Sequence, residues 1–484
     1  MYIKYLLYLS IIPIIHLIFS SRYNNGKLNN IALSWSVIIL IYNSLFIIIF
    51  SQIYNFQIYE CINWLSVASN INWGDVLITV DGISIFFISL SILLTPICIM
   101  MSWNAIDNFK KEFLISLFVI LLLLIGVFSV MDIVLFYVLF EAILIPMFLI
   151  IGVWGSREEK VKAAFYFFFY TLIGSLLMLI SIFKIYSLTG TTNYFNLVSI
   201  ELPSHLQIWM FIGFFASLSV KIPMIPFHIW LPQAHVEAPV AGSVLLAGIL
   251  LKLGGYGFLR FGFPLFPLAS EFFSPFIIVL SLIAVVYASF TTCRQTDIKR
   301  LIAYSSVSHM GLVTLSIFCH SKEGVIASIV MMIAHGLVSS GLFMSSAILY
   351  VRHHSRAIRY FRGVTIVMPI FSMITLILIL ANIGFPLTFN FIAELFSILT
   401  AFSFSKIAGV VSCIGALMST VYALYFYNRI YFGSLSPHLI NSREMLEFEF
   451  QAFLPLILLT IFLGLFPNLI LNYIIPSCFI NISL

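Results

Sequence analysis

The sequence predicts an all-α polytopic membrane protein of about fourteen transmembrane helices, built as two inverted five-helix repeats with broken seventh and twelfth helices. Three observations predict it. Of the 484 residues, 62% are hydrophobic and 8% charged, with a mean hydropathy of +1.13; a soluble domain carries about 25% charged residues. Apolar runs of about 20 residues, the length that spans a bilayer, recur along the whole chain. The basic residues are sorted by the loops between these runs. Of the 23 Lys and Arg residues, sixteen fall on one face and five on the other (Lys4, Lys184, Arg260, Lys322 and Lys406), the asymmetry of the positive-inside rule. The two left over, Lys221 and Lys252, lie inside apolar runs.

The runs are 3–20, 31–53, 80–101, 113–130, 132–151, 163–186, 207–230, 239–262, 273–293, 298–318, 324–350, 364–404, 407–432 and 452–475. The first starts apolar almost at once and has no small-residue cleavage site after Phe19, so it reads as a retained helix, not a signal or transit peptide. The fifth begins at Asp132 and contains Glu141 and Pro146. Pro223 and Pro226 break the seventh just beyond Lys221. The eighth carries Lys252 followed by Gly254, Gly255 and Gly257, spacing that permits close helix packing. The twelfth is too long for one ordinary helix and is interrupted at Asn382-Ile383-Gly384-Phe385-Pro386 and at Asn390. The two breaks lie five crossings apart; five is odd, so a second copy of such a unit is inverted in the membrane, as in ion-coupled transporters. The expected organisation is three N-terminal helices (1–103), a first repeat (111–262), a second, inverted repeat (271–432) and a final helix (452–475).

Several function classes are excluded. The six cysteines are scattered with no CxxC, which argues against an iron–sulfur or zinc site in this chain. No GxGxxG follows a strand pattern and no GxxxxGK[ST] occurs, so no nucleotide site is expected. The net charge of +5 is dispersed in short loops and forms no basic stripe, so no nucleic-acid partner is expected.

What remains is charge at membrane depth. Glu141, Lys221, Lys252 and Glu394 each cost roughly 2.5–3.5 kcal/mol at the centre of a spanning helix, or about 10–14 kcal/mol together if uncompensated. Pairing, hydration or neutralisation must compensate, and each makes such groups responsive to protonation. Glu141 reads either as a static ion-pair partner or as the carboxylate that controls proton loading on Lys221. A snorkelling Lys221 is a poor fit, because about thirteen apolar residues precede it and the break lies beyond it; irregular backbone at depth survives only in protein or beside a wet cavity. Snorkelling remains open for Lys252, since Arg260 marks a nearby interface. Glu394, just after the second break, reads as a terminal proton site or a pairing residue. His309, in IAYSSVSHMGL, and His335, in MMIAHGLVSSGLF, read either as packed helix histidines or as steps between Lys252 and Glu394. His228, His235, Glu237 and Asp132 form a second tier, nearer the membrane surface.

FHIWLPQAHVEAPVAGSVLLAGILLKLGGYGFLR (Phe227–Arg260), DIKRLIAYSSVSHMGLV (Asp297–Val313) and MIAHGLVSSGLF (Met332–Phe343) closely resemble the chain 4 family of antiporter-like membrane subunits of respiratory complex I, NADH:ubiquinone oxidoreductase. The likeness covers about Asp81 to Phe432. It implies fourteen helices in two inverted repeats (crossings four to eight and nine to thirteen) and a hydrated axis of charged residues. It places proton-transfer roles on Glu141, Lys221, Lys252, His309, His335 and Glu394. It also implies that this chain holds no cofactor or metal, the FMN, iron–sulfur clusters and ubiquinone belonging to the rest of the complex. The implied partners are neighbouring antiporter-like and accessory subunits and membrane lipids, in a hetero-oligomer of the mitochondrial inner membrane with the basic loops toward the matrix. The excess of Ile, Phe, Tyr and Asn over Ala suits an AT-rich organellar genome. A stand-alone Na+/H+ antiporter component and a proton-inert spacer of the same arm are the competing readings.

Overall fold

The computed structural model describes residues 2–21, 25–50, 56–63, 75–439 and 442–482; Arg22, counted above on the basic face, lies outside them. Twelve helices among the described residues are long and apolar enough to cross a membrane, from Tyr2–Phe19 to Glu447–Leu465. They match twelve of the fourteen runs. The other two runs are the seventh and the twelfth, and both are interrupted. The seventh is Ser204–Lys221 followed, after a turn, by Trp230–Glu237. The twelfth is Val364–Val367, Pro369–Ile383 and Phe389–Phe404, with Gly384 (φ 76°) closing the middle segment. Proline explains the first break: Pro223 and Pro226 lack an N–H, and the residue before each is pushed out of the helical region.

Three features depart from the expected pattern. A two-stranded antiparallel pair, β1 (Gln57–Asn63) and β2 (Asp75–Val80), precedes the third crossing; the β-branched DVLITV suits it. The final run is not one helix over 452–475. It is Glu447–Leu465 and Asn468–Ile482, because Pro467 cannot continue the ladder of the first segment. The eighth crossing, Val240–Leu265, contains two π-helical turns, Leu246–Leu250 and Phe258–Gly262.

One local device occurs twice. Asp132 is the N-cap of the fifth crossing, accepting from the amides of Val134 and Leu135, and bridges Asn193 in the segment after the sixth. Asp297 is the N-cap of the tenth, accepting from the amides of Lys299 and Arg300, and bridges Ala357 after the eleventh. Each pair exchanges the same two backbone bonds: Ile133 to Thr192 and Tyr194 to Met131, then Ile298 to Arg356 and Ile358 to Thr296. The copies stand five crossings apart.

Candidate proton-transfer site

The break in the seventh crossing sets the position of Lys221. Its helix stops there, and the indole Nε1 of Trp230 donates to the freed carbonyl of Val220 at 3.0 Å. The lysine is buried, with Nζ 4.2 Å from the ring centroid of Phe140. Glu141 follows Phe140 on the fifth crossing, beside Ser175 and within electrostatic range of Lys221. Its Oε1 is buried without a hydrogen-bond partner, and no ion pair within 4 Å joins the two among the described residues. The expected Glu141–Lys221 contact is therefore not direct: an aromatic face meets the ammonium, an attraction worth about 0.5–2 kcal/mol.

Lys252 lies on the eighth crossing, immediately after the first π-turn. A π-turn displaces carbonyls from their usual i+4 amides, and Lys252 Nζ donates to one within it, that of Ala247. The ammonium also lies 3.0 Å from Nδ1 of His335 on the eleventh crossing. With 0% of its surface exposed, Lys252 does not snorkel. Gly254 and Gly257 bring its helix close to the seventh: a Cβ on Gly254 would meet Ile222 and the Leu218 carbonyl, and one on Gly257 the Leu218 side chain.

From His335 the line continues. The rings of His335 and His309 lie 5.5 Å apart, centroid to centroid, and His309 Nδ1 is 3.5 Å from Glu394 Oε1. All four side chains are buried. Glu394 owes its place to the second break, because its carboxylate rests against Gly384, where any Cβ would overlap it. Asn382 stands beside His309, and Tyr422 beside Glu394. The Tyr422 hydroxyl, both polar atoms of Asn390 and both ring nitrogens of His309 have no protein hydrogen-bond partner. A row of lysine, two imidazoles and a carboxylate at these separations has the chemistry to pass a proton, directly or through single waters. No group of three or more His, Cys, Asp or Glu among the described residues is arranged to hold a metal ion.

The second tier separates. Asp132 has a full structural role, since beyond its cap it accepts from the Thr192 hydroxyl at 2.5 Å. His228 sits in the seventh-crossing break between the rings of Tyr287 and Tyr304, at 6.2 and 6.3 Å. His235 is fully buried, stacked on Phe343 at 4.4 Å and 9°, with neither ring nitrogen hydrogen-bonded to protein. Glu237 ends its short helix. Its carboxyl lies within electrostatic range of Arg356, Arg157 and Lys299.

Three cations read from sequence as loop or interface markers are inside the protein. Arg260 pairs with Asp81 at 2.5 Å and is 1% exposed. Lys299 donates to the Ala238 carbonyl at 2.9 Å and to the Ser243 hydroxyl at 3.3 Å. Arg356 donates to the Val236 carbonyl and, at 2.5 Å, to the Ser156 hydroxyl. With the Ser156 amide on the Glu237 carbonyl at 3.1 Å, these groups take up three successive carbonyls at the end of helix Trp230–Glu237. A helix C-terminus followed by Pro239 leaves such acceptors open and favours cations there. The only sequence signal was the position of each residue at the edge of an apolar run.

The family described as NADH:quinone oxidoreductase/Mrp antiporter, TM matches residues 130–419. The chain is 54% identical to NADH-ubiquinone oxidoreductase chain 4 of Metridium senile over 468 residues, covering 96% of this chain and 95% of that one. It is 52% identical to the chain 4 of Chondrus crispus over 398 residues, 82% of this chain and 81% of that one. Its fold is similar to a chain of the respiratory complex I from Thermus thermophilus with bound NADH, with a TM-score of 0.89 at 24% identity, covering 100% and 99% of the two chains. With a match to more than half its length and near-complete alignment at this identity, the chain belongs to the NADH-ubiquinone oxidoreductase chain 4 family of antiporter-like membrane subunits.

Proposed function

We propose that this chain is a proton-translocating membrane-arm subunit of NADH:ubiquinone oxidoreductase, driven by NADH oxidation and quinone reduction in other subunits. It has the family's place as a subunit of a multi-subunit oxidoreductase and conducts no redox chemistry itself; FMN, iron–sulfur clusters and ubiquinone belong to its partners. Its setting is the mitochondrial inner membrane, multi-pass, with the basic loops toward the matrix. Neighbouring antiporter-like and accessory subunits and lipids cover its outer faces. Residues 111–262 and 271–432 act as two inverted repeats, a reading supported by the twin Asp132 and Asp297 devices.

The observation that carries the reading is the buried row Lys252, His335, His309 and Glu394, spaced at 3.0, 5.5 and 3.5 Å inside apolar helices. Charges at that depth are costly and mark proton relays. Glu141 and Lys221 form the loading end. A charge change arriving from a neighbouring subunit alters the field of Glu141 on Lys221. Lys221 then gives up or takes up a proton, which passes through water to Lys252 and onward to Glu394.

Glu141→Gln in the assembled complex tests the loading role. The expected result is a large loss of quinone-coupled proton translocation with unchanged NADH oxidation by an artificial acceptor. Unchanged translocation refutes the role of Glu141. The spacer reading predicts unchanged translocation for every variant along the row. The antiporter reading predicts isolation of this chain in a complex without flavin and without NADH:quinone activity.

A further inference from the structure

We propose that Glu444 is a positioning residue for the relay: it clamps the start of helix Pro369–Ile383 and, through that helix, keeps the Glu394 carboxylate in line with His309. The inference rests on the proton-translocating reading above and adds to it a residue outside the buried row.

Helix Pro369–Ile383 is the middle segment of the broken twelfth crossing, 15 residues long and so about 22 Å from end to end. It is cut off at both ends. Met368, at φ −130° and ψ 67°, separates it from Val364–Val367, and the left-handed Gly384 closes it. A helix N-terminus leaves its first amides without partners inside the helix. Here Pro369 has no N–H, and the Ser372 amide already donates to the Met368 carbonyl at 3.0 Å. The two amides that remain belong to Ile370 and Phe371, and Glu444 takes both. Ile370 donates to Oε2 at 3.0 Å and Phe371 to Oε1 at 3.3 Å. A carboxylate in that place also meets the positive end of the helix dipole.

Glu444 is itself held. The Met445 amide donates to its Oε1 at 2.9 Å. Its backbone carbonyl accepts from Arg352 Nη2 at 3.1 Å, and the same nitrogen pairs with Glu449 at 2.7 Å. Arg352 stands in the last turn of the eleventh crossing, the helix that carries His335. Glu449 stands in the first turn of Glu447–Leu465. At the basic-loop face the clamp thus ties the twelfth crossing to two neighbours.

The far end of the same helix meets the relay. Asn382 stands beside His309 and Tyr422, and Gly384 is the seat of the Glu394 carboxylate. The Tyr427 hydroxyl holds the helix from the side, donating to the Ser372 carbonyl at 3.2 Å. Bonds from N-terminal amides run along the helix axis instead, so Glu444 sets how far the helix reaches toward Glu394. The 3.5 Å between His309 Nδ1 and Glu394 Oε1 is already outside the usual range of an N–H···O bond. A small axial shift of the helix is enough to break that contact.

The test uses the intact complex in reconstituted vesicles, compared at equal content of assembled complex. Glu444→Ala removes both acceptors and is expected to lower the rate of quinone-coupled proton translocation about tenfold, since a misplacement of about 1 Å costs up to about 100-fold. Arg362→Met loosens the same loop, by removing the bonds to Ser434, without touching the helix amides, and is expected to translocate at the parent rate. The infrared carboxyl bands lost in Glu394→Gln are expected to shift in Glu444→Ala and to stay in place in Arg362→Met. A purely structural Glu444 lowers the yield of complex and moves neither the rate nor the bands. If Glu444→Ala translocates at the parent rate while Glu394→Gln does not, the positioning role is wrong and the relay stands. A lowered rate with unmoved bands also overturns it, because Glu444 then acts elsewhere than on Glu394. If Glu394→Gln translocates at the parent rate, the proton-translocating reading itself fails. Should Glu444→Ala not assemble, Glu444→Gln, which keeps one acceptor oxygen, decides by the same rate and bands.

Discussion

Asp81→Asn is predicted to damage assembly while leaving the proton relay intact. Asp81 lies in the turn between β2 and the third crossing, and its Oδ2 accepts from Arg260 Nη2 at 2.5 Å, with both side chains nearly inaccessible. The guanidinium also donates from Nε to the Tyr256 hydroxyl at 3.3 Å, and that hydroxyl donates to the Phe128 carbonyl at 3.0 Å. Next to Asp81, the Gly82 amide donates to Ser477 Oγ at 2.9 Å. One cluster thus ties the third, fourth and eighth crossings to the final helix. Removing one charge of a buried pair costs about 3–5 kcal/mol, because the other is left uncompensated. Against a typical net stability of about 5–15 kcal/mol, that is a large fraction. At about 1.4 kcal/mol per tenfold, it shifts the folded population by two to nearly four powers of ten. The assays are the amount of intact complex on a native gel and its thermal midpoint. The double variant Asp81→Leu/Arg260→Met removes both charges and is expected to recover most of the loss. Translocation per NADH in whatever Asp81→Asn complex assembles should match the parent. Parent-level assembly and thermal midpoint for Asp81→Asn would refute the assignment of this pair as a structural lock.

Two further outcomes are expected. Asp132→Ala removes the cap of the fifth crossing and should cost about 1 kcal/mol, read as a lower thermal midpoint, with translocation per NADH unchanged; a lost proton stoichiometry would place Asp132 in the relay. Gly384→Ala combines a left-handed backbone penalty of about 1–2 kcal/mol with a Cβ in the space of the Glu394 carboxylate. It should push Glu394 from His309 and lower the translocation rate more than Asp132→Ala does, measured at equal content of assembled complex. Equal effects would mean that the carboxylate's seat on Gly384 has no functional weight.

The sequence makes the breaks legible because Pro223, Pro226 and Gly384 act through local backbone rules. It also makes Lys252, His309, His335 and Glu394 legible, because a titratable group deep in an apolar run stands out on cost alone. That these four meet as a row depends on helices packing side by side, which no spacing in one helix encodes. The π-turn before Lys252 has no proline to announce it, and the carbonyl it offers is a backbone property. Lys299, Arg356 and Arg260 are misleading for a different reason. Basic residues at the ends of apolar runs normally reach water, but here two of them find open helix-end carbonyls and the third finds Asp81, 179 residues away in the chain. Composition is blind to backbone acceptors. Pro467 is a visible break in the last run, outweighed in the sequence by the apolar residues on both sides.

The most direct test of the central claim is the number of protons translocated per NADH oxidised in vesicles containing complex with Lys252→Met. Methionine keeps the side chain's length and its fit in a fully buried site but carries no proton. The buried-relay account predicts a clear fall in that ratio, with assembly and artificial-acceptor NADH oxidation preserved. An unchanged ratio in a fully assembled complex would contradict it.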